Sequence, residues 1–200
     1  MAAVASVGLI ALAGCGTEQG AALFVADERV AEPTVDAYVE GIDEFNAAQG
    51  EEFVVEDLSS VRGFVVGLVL YTEIGKAAEV EPLSADEIGP VVNQEALAYF
   101  TAVGSEYRDL YLEGLGYQEA LRADSEPRAL TQGEMEIAVA AAAEDPNLAQ
   151  ATIEQLEAAA GFSDDLVGYV DEFDVAVNPR YGDIEISPLP SVFPVEVPQR

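Results

Sequence analysis

The sequence predicts a mainly α fold with one small β element, on three observations. Apolar residues recur at helical spacing from about residue 33 to about residue 160, in segments opened by capping residues. Strand signals lie instead at the two ends. One is the short run Ala22-Leu23-Phe24-Val25-Ala26; in the other, Phe173, Val175 and Val177 alternate with Asp174, Ala176 and Asn178. No long linker and no convincing repeat divides the chain. A strand at about 22–26 is therefore expected to pair with one at about 173–178, joining the two ends beneath a helical body.

The elements follow in order. Residues 1–14 carry no charged side chain and run directly into Cys15, the only cysteine. The apolar stretch is shorter than the roughly 20 residues needed to span a bilayer. Leu12-Ala13-Gly14-Cys15 resembles a lipobox, which implies a signal segment over 1–14, lipid attachment to Cys15 and a polar tether over 15–21. A signal should open with Lys or Arg, but none precedes Cys15, which fits either a start codon lying upstream or a trimmed front end. With that thiol acylated no disulfide can form, so the fold must stand on its core alone. About 185 residues remain after cleavage, enough for a domain with a real core over 22–187.

Pro33 suits the first turn of a helix over about 33–48, with Val35, Tyr38, Val39, Ile42 and Phe45 on one face and Gly50 at its end. A second helix, about 61–79, has almost no polar face in its first half, which makes it the central, buried one. Its Gly63 and Gly67 are four apart, spacing that would let another helix approach closely. Ser84-Ala85-Asp86-Glu87 is a capping box opening a segment toward Phe100, bent or restarted at Pro90. A helix over 105–123 carries Tyr107, Leu110, Tyr111, Leu115 and Leu121 as its buried stripe. Thr131-Gln132-Gly133-Glu134, a second capping box, opens an alanine-rich helix ending near Asp145-Pro146. Another helix covers about 147–160 and stops at Gly161, followed by a short helical turn near 164–170. Ile184 and Ile186 alternate again. The segment 188–200 holds four prolines and is expected to be an extended, loose tail.

Composition narrows function. There are 38 acidic residues against 8 basic ones, a net charge of −30, and Lys76 is the only lysine. A nucleic-acid partner is excluded by the lack of basic patches. Anionic lipid head groups would repel this surface, so membrane contact is expected through the lipid anchor only. The absence of histidine removes histidine bases, triads and histidine metal sites. No phosphate loop, dinucleotide fingerprint or EF-hand spacing occurs. The carboxylate clusters Glu51-Glu52, Asp164-Asp165 and Asp171-Glu172-Asp174 read as solvated faces rather than metal ligands. No catalytic residue, metal or cofactor is expected.

The segment Asp174-Val175-Ala176-Val177-Asn178-Pro179-Arg180-Tyr181-Gly182 resembles a strand and turn of actinobacterial lipoproteins related to the N-terminal domain of SurA, an extracytoplasmic chaperone of the parvulin group. The opening is similar too: lipobox, polar tether, then Ala21 to Val30 leading into a helix. One departure is that Asp183-Ile184 follows the turn where relatives usually place a tryptophan. The resemblance implies a SurA-N-like helical body closed by its terminal strands. It also implies holding of unfolded or partly folded exported polypeptides at the extracytoplasmic face of the cell membrane. Isomerase activity is not implied, since there is no room for a parvulin domain and its histidines are missing. Asn178, Pro179, Arg180, Tyr181 and Gly182 are expected to be structural. Client contacts would fall on apolar helix residues that need not all be core: Tyr99, Phe100, Tyr107, Tyr111, Leu115 and Tyr117. For each of these, ordinary core packing is the competing assignment. A non-enzymatic envelope scaffold with one dedicated partner is the alternative function.

Overall fold

The computed structural model describes residues 20–49, 58–144 and 148–200. Cys15, the signal segment, nearly all of the tether and the Glu51-Glu52 pair lie outside them.

The fold is mainly helical with small antiparallel sheets. The N-terminal strand β1 (Ala21–Val25) is buried along its whole length and lies in the middle of a three-stranded sheet. On one side it pairs with β2 (Glu28–Ala31), on the other with β3 (Ala176–Val177), both antiparallel. Leu23 faces Val177 and Phe24 faces Ala176, so the two ends of the chain do meet as expected. The C-terminal strand is shorter than the 173–178 alternation suggested. Phe173 and Asp174 still belong to the end of the preceding helix: Asp174 sits at φ +46° and the Val175 N–H donates to the Val170 carbonyl, a Schellman closure.

Helix α1 (Glu32–Gln49) follows β2 directly and buries Val35, Val39 and Ile42. Helix α2 (Leu58–Ala77) is the centre of the body, with Val65, Val66, Leu70 and Ile74 fully buried. It packs against α1, β1 and most extensively α5 (Ser105–Ala123). Close approach to α5 is provided by Gly114, where a Cβ would lie 2.9 Å from Leu68, and by Gly75, whose missing side chain leaves room for the Tyr117 ring. The pair Gly63 and Gly67 plays a different part from the one expected. Among the described residues no helix docks there, and a Cβ on Gly67 would have nothing within 4 Å.

The Ser84–Glu87 capping box opens a single turn, α3 (Ala85–Ile88). The chain then turns through Gly89-Pro90-Val91 and restarts as α4 (Gln94–Val103), where the Asn93 side chain accepts from the Glu95 and Ala96 N–H groups. The Thr131–Glu134 box opens α6 (Gln132–Glu144).

Two expectations fail in the C-terminal third. Gly161 does not stop a helix: α7 (Ile153–Glu172) runs straight through it and absorbs the turn near 164–170. Gly161 lies against the Glu126 carbonyl, with no room for a Cβ, so it serves close packing rather than termination. Nor is 188–200 a loose tail. Strand β5 (Val195–Val197) pairs antiparallel with β4 (Ile184–Ile186). Val192, Phe193, Val195 and Val197 are buried. The Ser163 hydroxyl donates to the Phe193 carbonyl, and the Val177 N–H donates to the Pro198 carbonyl. Alternation at Val195 and Val197 mirrors that at Ile184 and Ile186, so each strand of the hairpin turns one apolar face to the body.

Candidate functional site

Where α2 meets the β4–β5 hairpin the body leaves an open groove of about 730 Å³. One wall is the exposed edge of α2, with Gly63, Phe64, Gly67 and Leu68; Tyr71 and Gln118 form the floor. The other wall is the chain from Tyr181 through Ser187, with Leu189 and Ser191 at one end. The glycines create the space: with no side chain at Gly67, the helix surface recedes and leaves Phe64 45% exposed beside it. Phe64 stacks on Phe100 at 5.7 Å and keeps part of its ring open to the groove.

The floor is held by buried hydrogen bonds. Tyr71 Oη donates to the Ser187 carbonyl at 2.7 Å, and Gln118 Nε2 donates to the same oxygen at 3.1 Å. Burial, and then the nearby charge of Glu119, push the Tyr71 phenol far above its ordinary value, so it stays a neutral donor. Glu119 is itself buried and is paired with Arg122 at 2.5 Å. These two line a second, smaller groove of about 490 Å³ that shares Leu189 with the first. The ionisable side chains on the walls of the larger groove are Asp183 and Glu185, together with the phenols of Tyr71 and Tyr181.

The turn Asn178-Pro179-Arg180-Tyr181-Gly182 binds the two ends of the chain together. Asn178 Nδ2 donates to the Ala21 carbonyl and to Glu32 Oε1, each at 3.0 Å, while its Oδ1 accepts from the Arg180 N–H. Arg180 reaches Glu32 at 2.6 Å and Asp36 at 3.0 Å. Pro179 starts a short 3₁₀ turn, and Gly182 takes φ +81°, which favours glycine. Tyr181 Oη donates to Asp36 Oδ1, and burial followed by that hydrogen bond raises its phenol well above the ordinary range. These bonds tie the turn to β1 and α1, and its last two residues also begin the groove wall.

The helix residues proposed as client contacts are elsewhere. Phe100, Tyr107, Tyr111, Leu115 and Tyr117 are all buried, and Tyr99 is half-buried. Phe100 and Tyr111 stack at 5.3 Å, Tyr107 fills the space left by Gly41, and Tyr117 fills that left by Gly75. Tyr99 donates to Asn46 Oδ1 at 2.9 Å. These side chains pack mainly against α1, α2 and each other, and Tyr107 also borders a small surface hollow beside Thr34 and Tyr38. Phe64 and Leu189, which do line an accessible groove, carry no contact signal in the sequence, and Gly67 reads there as a helix-packing position. The one signal that could have pointed there was a glycine pair beside an aromatic on the most apolar helix.

A second exposed apolar surface lies on α6. Met135, Ile137 and Val139 are 44%, 53% and 71% exposed, and only Ala138 of this helix is buried. Asp164, from one of the acidic clusters, is engaged by Arg128, and Asp174 is paired with Arg200. Among the described residues no group of three or more acidic, cysteine or histidine side chains is arranged to hold a metal ion. No helix among them is long and apolar enough to cross a membrane. No family model matches the chain, and neither a curated protein nor a solved structure is significantly similar to it, so the site is read from its own geometry.

Proposed function

We propose that this protein is an extracytoplasmic, lipid-anchored chaperone that holds unfolded or partly folded exported polypeptides and has no isomerase activity. The observation that carries this reading is the groove between α2 and β4, which sets an exposed aromatic and a recessed glycine surface opposite a stretch of backbone. Apolar surface next to unpaired backbone suits chains that have not yet buried their own apolar side chains. The net charge of −30 would keep such complexes soluble and favour clients rich in Lys and Arg. Attachment through Cys15 would raise the effective concentration of the groove near newly exported chains.

The test is suppression of aggregation of a denatured model protein. The wild-type chain should suppress it at several-fold molar excess. Gly67→Trp, which fills the groove without displacing a core side chain, should lose most of that effect while keeping its melting temperature. No suppression at either low or high salt would remove the proposal. A second reading, an envelope scaffold with one dedicated partner, is favoured by the exposed face of α6. A pull-down separates the two: one stoichiometric partner supports scaffolding, and a ladder of unrelated exported chains supports holding.

A further inference from the structure

Resting on the holding function proposed above, we infer that the groove takes its client as an added β-strand along the free edge of β4, and that the preferred segment alternates apolar with cationic side chains. Strand β4 pairs only with β5, so its other edge has no strand partner among the described residues. That edge is the groove wall. Five consecutive residues, Asp183 to Ser187, line the cavity, although side chains along this strand alternate between buried Ile184 and Ile186 and exposed Glu185. A cavity over one face of a strand meets every second residue; one that meets them all runs along the edge. The Ser187 carbonyl at one end is already taken by Tyr71 and Gln118; the rest of an unpaired edge presents N–H and C=O groups ready to bond an extended chain.

The side chains on the walls set the composition of the guest. Phe64, Leu189 and the space over Gly67 would accept the apolar set of an alternating segment. Asp183 and Glu185 lie along the edge itself and would face the other set, and opposite charges across a strand pair are favourable. Arg180, next to the wall residue Tyr181, is already occupied by Glu32 and Asp36. At about 3.4 Å per residue, the edge from Asp183 to Ser187 accommodates a segment of roughly five residues.

The probe is a fluorescent eight-residue peptide of alternating valine and lysine, bound to the full chain and followed by anisotropy and by amide exchange. Two N-methylated versions, one for each alternate set of amides, keep the side chains but each remove one set of donors. The unmodified peptide should bind and protect amides within 183–187, and one of the two methylated versions should bind at least tenfold more weakly. Gly67→Trp should abolish binding, and Asp183→Asn with Glu185→Gln, which remove both charges while position 183 can still accept from Gln199, should weaken it at least tenfold at low salt. Equal binding of all three peptides, with exchange at 183–187 unchanged but binding still lost in Gly67→Trp, would overturn strand addition and leave the holding function standing. If no peptide binds and aggregation is not suppressed, both fail.

Discussion

Helices α2 and α6 both carry apolar side chains around most of their circumference, yet one is the centre of the protein and the other lies open. Along α2, Val65, Val66, Leu70 and Ile74 are completely buried. Along α6, Ala138 alone is buried while Val139 beside it is 71% exposed. The difference lies in the neighbours. Helix α2 is surrounded by α1, α5, β1 and β4, whereas α6 packs mainly on the short turn at 148–150 and a small cluster with Ala159, Ala160, Val192 and Phe193. Polar fastenings hold α6 at its start: Arg128 bonds Glu134 at 2.6 Å and also Asp164, and the Thr131 N–H donates to Glu134 at 2.8 Å. An apolar pattern thus identifies a helix, but the number of elements packed around it decides whether it is core or contact surface.

The contrast can be broken most forcefully at α2. Leu70→Ala should cost about 2–5 kcal/mol in chemical denaturation, since a completely buried side chain leaves a cavity among several packed elements. A loss below that range would mean the central helix is less tightly enclosed than its burial indicates.

The next largest effect belongs to the glycines. Gly161→Ala places a Cβ against the Glu126 carbonyl and should cost about 1–3 kcal/mol through displaced backbone. Gly67→Ala meets nothing and should be neutral or stabilising by up to about 1 kcal/mol, the helix-propensity gain. Thermal melts of the two variants, run side by side, check the pair.

A smaller effect sharpens the account of how α6 is held. Hydrogen bonds from Arg128, and then from the Thr131 backbone, lower the Glu134 carboxyl to about 2 from its ordinary 4.5. A carboxyl whose folded pKa is depressed stabilises the fold above its unfolded value and loses that contribution as pH falls through the folded one. Arg128→Gln should therefore cost about 1 kcal/mol near neutral pH, tempered by the partial exposure of the pair. Wild type and variant should converge as pH drops from 4.5 toward 2, so the difference between their two pH profiles is the measurement. Smallest of all, Ile137→Gln on the open face of α6 should change stability by no more than about 0.5 kcal/mol, read by the same denaturation assay as Leu70→Ala.

Much of this fold was legible in the sequence because the physics was local. The helix over 105–123, the boxes at Ser84 and Thr131, and the burial of α2 follow from spacing and capping residues within a few positions. Pairing of β1 with β3 was legible because both segments carry strand signals at opposite ends of a helical chain. What escaped depends on distant neighbours. Strand β2 opens with exposed, charged Glu28 and Arg29, which carry no strand signal of their own, and it is a strand because β1 lies beside it. The hairpin partner of β4 is three residues bracketed by Pro194 and Pro198, too short for alternation to outweigh the prolines. Gly161 shows that the same residue type serves as a helix stop or as a close-packing position, and only the Glu126 backbone settles which. Spacing on α5 placed Tyr107 and Tyr111 on its buried stripe, but it does not reveal the glycine hollows of α1 and α2 that receive Tyr107 and Tyr117. The groove was least legible: the glycine pair Gly63 and Gly67 shows in the sequence, but the strand edge opposite it has no residue signature.

The most direct test compares the two open surfaces with a photo-crosslinking amino acid placed at Phe64 in one variant and at Ile137 in another, each exposed to a denatured client protein. The account predicts strong client crosslinks from position 64 that a bulky side chain at Gly67 suppresses, and few from position 137. Crosslinks confined to position 137, with position 64 silent, would contradict it.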